Sequence, residues 1–157
     1  MFKNTNSIVG GLLFMFSMMV HAEADVSLSE STIKSKIDSI VSVDLVMSNF
    51  SMTEGGGVEM QYDPKLVQIN SVVVDAAAWS FVNRDGDINN ADGTVSGILF
   101  SSYQGVSGDA KIATIELEFI GKGKGKISLS ESNSNPFASN GEQMAVTFSP
   151  TKIHVRR

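Results

Sequence analysis

Residues 57–75, Gly57-Val-Glu-Met-Gln-Tyr-Asp-Pro-Lys-Leu-Val-Gln-Ile-Asn-Ser-Val-Val-Val-Asp75, decide how the rest of the chain is read. Val58, Met60 and Tyr62 alternate with polar residues up to Asp63-Pro64, and Leu66, Val67, Ile69, Val72 and Val74 follow it. Alternation at period two is the pattern of a half-buried strand. Pro64 fixes φ and has no N–H to give a sheet, so it punctuates strands and does not sit inside one. The stretch predicts two strands joined at a tight corner, on which the other strands pack.

Upstream, Val41, Val43, Leu45 and Met47 alternate with Ser42, Asp44 and Val46. Asp25 to Ser29 reads as a short first strand, with Val26 and Leu28 on one face, and residues 29–36 read as polar loop. Asn49 to Gly57 reads as a loop, because Gly55-Gly56-Gly57 favours a turn or bulge. Downstream, Trp79, Phe81 and Val82 form an apolar run, and Asn83 to Gly93 is a polar loop. Thr94 to Tyr103 reads as strand, and Ala110 to Ile120 shows the clearest alternation: Ile115, Leu117 and Phe119 inward, Glu116 and Glu118 outward. Gly121 to Lys126 reads as a flexible hairpin connection before Ile127 and Leu129, and Ser130 to Gln143 as a long polar loop. Met144, Val146 and Phe148 alternate, Pro150 breaks the run, and Ile153 and Val155 finish it. About nine short strands with no helical period predict an all-β antiparallel sandwich or barrel.

Not all of the 157 residues are expected to fold. Residues 1–22 have one cation (Lys3), an uncharged apolar run at 8–20, and small residues at Val20-His21-Ala22. That is the layout of a secretory signal peptide, with cleavage expected after Ala22. The apolar run is too short to span a bilayer core of ~30 Å comfortably. Residues 23–157 are then one domain, large enough to bury a core without disulfides. The chain has no cysteine, which removes thiol nucleophiles and thiolate metal sites. A net charge of −5 favours solubility and argues against nucleic acid. The expected product is an exported, soluble monomer, extracellular or periplasmic.

The residues resemble a family. Asp38 opening an alternating strand, then Tyr62-Asp63-Pro64 followed by Leu66, Val67 and Ile69, is similar to the first half of a cohesin domain. Gly93-Thr-Val-Ser-Gly97, Gly108 to Phe119 before the glycine-rich turn, and the final Ile153-Val155 strand resemble the second half. The resemblance covers nearly all of residues 23–157. It implies a single nine-stranded β-sandwich of jelly-roll topology, shared with certain carbohydrate-binding modules. It also implies a non-catalytic binding module linked to polysaccharide processing, with a dockerin-type protein partner or a polysaccharide as ligand. In well-studied cohesins a short Asn-x-Asp stretch before the Tyr-Asp-Pro strand contacts dockerin. Gly55 and Gly57 occupy those places here and have no side chains for such hydrogen bonds. An accessory subunit of an envelope assembly, paired through an edge strand, is a third reading.

Candidate ligand contacts are Trp79 and Tyr103, as aromatic platforms for sugars, with Phe81 and Phe137 beside them in type. Glu116 and Glu118, at i and i+2 and ~7 Å apart, point off one strand face. That spacing is compatible with a glycosidase pair, but a solvated outer face accounts for it and no nucleophile motif accompanies it. Asp85, Asp87, Asn89 and Asp92 place four oxygen side chains in one loop, so calcium is a candidate cofactor. Asn90 and Ser96 stand where an EF-hand needs Gly and Glu, so an Asx-rich turn is the first reading. Tyr62 and Asp63 read as structure at the corner. Lys122, Lys124 and Lys126, spaced by glycine, read as a solvated turn, with contact to acidic glycans second.

Overall fold

A computed structural model describes residues 24–49 and 51–157. The leader read at 1–22 lies outside the described residues. In chain order the strands are β1 (Ala24–Leu28), β2 (Thr32–Lys36), β3 (Ser39–Asn49), β4 (Thr53–Gln61), β5 (Val67–Val74), β6 (Val82–Arg84) and β7 (Asp87–Asn89). They continue with β8 (Thr94–Val106), β9 (Asp109–Phe119), β10 (Gly123–Glu131), β11 (Ala138–Ser139), β12 (Glu142–Gln143), β13 (Val146–Phe148) and β14 (Thr151–Arg156). Nine of these have five or more residues, and the other five are pieces of two or three.

They form two sheets. One has the order β13-β1-β3-β9-β5, and the other runs β12-β11-β4-β10-β14-β2, with β8 on the free side of β4 carrying β6 and β7. The sandwich is as the alternation predicts, because each sheet has one apolar face to bury. Most pairs are antiparallel, but β1–β13 and β14–β2 are parallel. A parallel pair needs a long crossover. Here nearly the whole domain is the crossover, which brings the last strand beside one of the first.

The core lies between the sheets. Val43, Leu45 and Met47 of β3 and Ile115, Leu117 and Phe119 of β9 meet Val58 and Met60 of β4 and Ile98 and Phe100 of β8, all buried. A chain of rings crosses this layer at centroid separations of 4.6 Å (Trp79–Phe100), 5.3 Å (Phe100–Phe137) and 5.9 Å (Phe137–Phe148). The 62–79° angles between their planes are the edge-to-face geometry favoured by ring quadrupoles.

Several segments read as loop are strand. Thr32–Lys36 is β2, although only Ile33 is buried, because its backbone pairs with β14. A single inward apolar residue leaves no alternation to read. Gly55-Gly56-Gly57 lies inside β4, not in a turn. A Cβ at Gly56 would stand 2.7 Å from the Phe137 ring, and one at Gly57 2.8 Å from Ser132 Cβ. The glycines therefore let a ring pack on one face of β4 and residues 132–135 cover the other. The polar segment 83–93 holds the end of β6 and all of β7, both paired to β8, and the lysine–glycine stretch enters β10 at Gly123.

Candidate functional site

The Asp63-Pro64 corner is framework. Tyr62 is buried, and its hydroxyl donates to Asn90 Oδ1 at 2.7 Å. Burial pushes the phenol pKa up, so it remains a donor at neutral pH. Asp63 Oδ1 accepts from the Lys65 N–H at 2.9 Å, and its carbonyl accepts from Leu66 and Val67, which closes the turn. Asn90 is the residue that motif reading missed. It accepts from the Ile69 N–H at 2.8 Å and donates to the Ile69 carbonyl at 3.0 Å, so one amide joins the loop, the corner and β5. Nothing in a polar Asn-rich loop distinguishes this asparagine from its neighbours in sequence. Asn90→Ala leaves three part-buried polar groups without their partner and should cost about 3 kcal/mol. Urea denaturation would read this as a lower midpoint at an unchanged slope.

The calcium candidates serve the same framework. Asp85 Oδ1 accepts from the Val74 N–H at 2.8 Å, and Asp87 pairs with Arg84. Asn89 Oδ1 accepts from the Ala91 and Asp92 N–H groups, while its amide donates to Asp92 at 2.7 Å. These are the hydrogen bonds of an Asx turn. Among the described residues no group of three or more His, Cys, Asp or Glu side chains is placed to hold a metal ion.

Trp79 has no face open to a ligand. It is 0% exposed, its indole N–H donates to the Lys111 carbonyl at 2.9 Å, and its ring meets Phe100. Phe137 is equally buried. The indole is the largest apolar group in the chain, and the space between the sheets takes it in. Tyr103 is 77% exposed on β8, with the Phe81 ring 3.7 Å from it at 39°. Glu116 and Glu118 lie on the other sheet, on the outer face of β9, where Glu116 accepts from Asn70 Nδ2 at 3.3 Å. Their cross-strand neighbours are Ser42 and Ser71 for Glu116, and Ile40 and Gln68 for Glu118. The structure thus separates Tyr103 from the carboxylates and buries Trp79.

What it does bring together is a groove on the outer face of β4, β6 and β8. The groove has a volume of about 480 Å3 and is lined by Gly55, Val82, Leu99, Ser101, Pro136 and Ala138, with Glu54 at one side. β4 contributes glycine to its floor, where no side chain fits: a Cβ at Gly55 would stand 2.6 Å from the Phe100 carbonyl and 2.8 Å from Ser101 Cβ. Val82 pairs with Ser101 and Arg84 with Leu99, so the outward side chains of β6 extend the same face. Phe81 and Val82 stay 51% and 47% exposed, which with Tyr103 makes a continuous apolar border. Large exposed apolar groups gathered in this way mark an interaction surface more often than scattered ones do.

No protein-family model matches the chain, and no curated protein matches it. Solved structures do. A non-cellulosomal cohesin from the archaeon Archaeoglobus fulgidus aligns with a TM-score of 0.70 at 11% identity, covering 87% of this chain and 93% of that one. A type I cohesin from a cohesin–dockerin complex of Clostridium thermocellum aligns with a TM-score of 0.69 at 14% identity, covering 85% and 99%. The third ScaC cohesin of Acetivibrio cellulolyticus, in complex with the ScaB dockerin, aligns with a TM-score of 0.66 at 20% identity, covering 85% and 99%. The described chain has a cohesin-like β-sandwich fold.

Proposed function

We propose that this chain is an exported, non-catalytic binding module that recognises a protein partner through the groove on β4, β6 and β8. The observation that carries this reading is the exposed apolar border of Phe81, Val82 and Tyr103 beside that groove. Cohesins solved with dockerins bind a protein module. This chain shares their fold but offers no side chain at Gly55 or Gly57. Its partner, dockerin-like or not, is therefore met through apolar contact and shape more than through the polar stretch before the Tyr-Asp-Pro strand. Fully desolvated apolar and aromatic anchors are the usual source of affinity in such interfaces. Export rests on the leader pattern of residues 1–22, and a link to polysaccharide processing rests on the fold relationship.

The test is capture of partners from the host's secreted and envelope fractions by the tagged protein, beside an array of polysaccharides. Val82→Glu and Phe81→Ala change exposed side chains and should leave the melting midpoint within a few degrees. Val82→Glu should weaken capture of the protein partner roughly 30-fold or more, the size of a hot-spot loss. The exposed Tyr103 favours a second reading, in which a sugar stacks on that ring. Retention of a neutral polysaccharide, lost on Tyr103→Ala with no protein captured, would replace the first reading by the second.

A further inference from the structure

Half of the chain's 12 Lys and Arg residues stand on β10, β14 and β2, the strands that continue the groove's sheet on the other side of β4. The register places Lys126 of β10 opposite Lys152 of β14, and Lys124 opposite His154. Across β14, His154 meets Lys34 of β2, and Arg156 meets Lys36. Ile33, Ile127, Ile153 and Val155 of the same strands are buried, so these alternate residues point outward. The face is a grid, with rows ~4.8 Å apart between strands and ~7 Å apart along them. Among the described residues the ion pairs are Arg84–Asp87 and Lys111–Asp44, and none of Lys34, Lys36, Lys124, Lys126, Lys152 or Arg156 takes part in one.

Like charges directly opposite one another in a sheet are destabilising, so folding alone gives no reason to gather them. Lysines on β2 could be explained as protection of an exposed edge. Lys124, Lys126 and Lys152 cannot, because β10 and β14 are interior strands of that sheet. The field is felt by His154, whose pKa is lowered by partial desolvation and then by Arg156, Lys124 and Lys34.

We propose that the outer face of β10, β14 and β2 binds a linear acidic polysaccharide, carboxylated or sulfated, lying across the cation grid. The charge is complementary to such a chain, and the spacing matches a polymer with repeated anions better than a single small anion. Lysine predominates on the face, and lysine acts as a hydrated point charge and not as a bidentate fork. The outward positions of these strands carry no Phe, Tyr or Trp on which successive nucleic-acid bases could stack, His154 being the one ring among them. They carry no large apolar residue to enter a lipid interface either.

The experiment measures binding of the protein to polygalacturonate, dextran sulfate and neutral dextran over a salt series, with duplex DNA and vesicles containing anionic lipid in parallel. Binding to one or both acidic polysaccharides, none to dextran, and an affinity falling steeply with salt are expected. The double substitution Lys126→Gln/Lys152→Gln should weaken binding at least 10-fold. It should also leave the melting midpoint equal or raised, since it relieves repulsion, so a loss cannot be ascribed to unfolding. Val82→Glu should have no effect, which separates this face from the groove. Equal binding by the double variant, absence of polysaccharide binding, or preference for DNA or vesicles would overturn the proposal.

Discussion

Gly93→Ala is expected to destabilise the fold by about 3 kcal/mol or more, the sum of left-handed backbone strain and overpacking. Gly93 has φ +70°, and a Cβ there would stand 2.2 Å from the Tyr62 carbonyl oxygen and 2.8 Å from Pro64 Cδ. Neither neighbour is the free end of a side chain. Relief requires the corner to move away from β8, and the Tyr62 N–H donates to the Gly93 carbonyl at 2.8 Å across that very junction. The melting midpoint should fall by roughly 10 °C or more for a domain of this size. Gly108→Ala is the control. Gly108 has φ +77° but nothing within 4 Å of its Cβ position. Backbone strain alone should cost it about 1 kcal/mol. Similar losses in the two variants would show that the close contact at the corner contributes nothing.

Trp79→Ala is expected to cost about 3–5 kcal/mol, the range for removing a fully buried large aromatic side chain. Trp79 is 0% exposed and holds the two sheets together: its N–H reaches the Lys111 carbonyl of β9, and its ring packs on Phe100 of β8. Trp79→Phe should recover much of the packing and still leave the Lys111 carbonyl without its donor, a loss of about 1–2 kcal/mol. Trp79 is also the only tryptophan. Its emission should be that of a buried indole and should not respond to polysaccharide. Quenching by added sugar would contradict the burial.

These two variants also show what sequence reading could reach. The strands on either side of Asp63-Pro64 are legible because each buries one face and exposes the other, so the side chains themselves record the period. The same holds for β9, where buried Ile115, Leu117 and Phe119 alternate with half-buried Glu116 and Glu118. Where a strand is held mainly by its backbone the record is blank. β2 has one buried side chain, and the glycines of β4 have none to report. Trp79 fails differently. A lone tryptophan after an alanine run fits a ligand platform and a core plug equally well, and the choice depends on which side of the space between the sheets is filled.

From its sequence alone, this protein reads as an all-β domain without cysteine, with a corner at Asp63-Pro64 and the alternation of a cohesin-like sandwich. Those properties are local: they depend on residue types at spacings of two, on proline's missing N–H and on charge. The candidate sites were decided by tertiary structure. Val82, Leu99, Pro136 and the β4 glycines come from four separate segments, and the cations from three strands up to 122 positions apart, between Lys34 and Arg156. Cross-strand register sets which of them become neighbours, and register is a property of the packed sheets that no single segment carries.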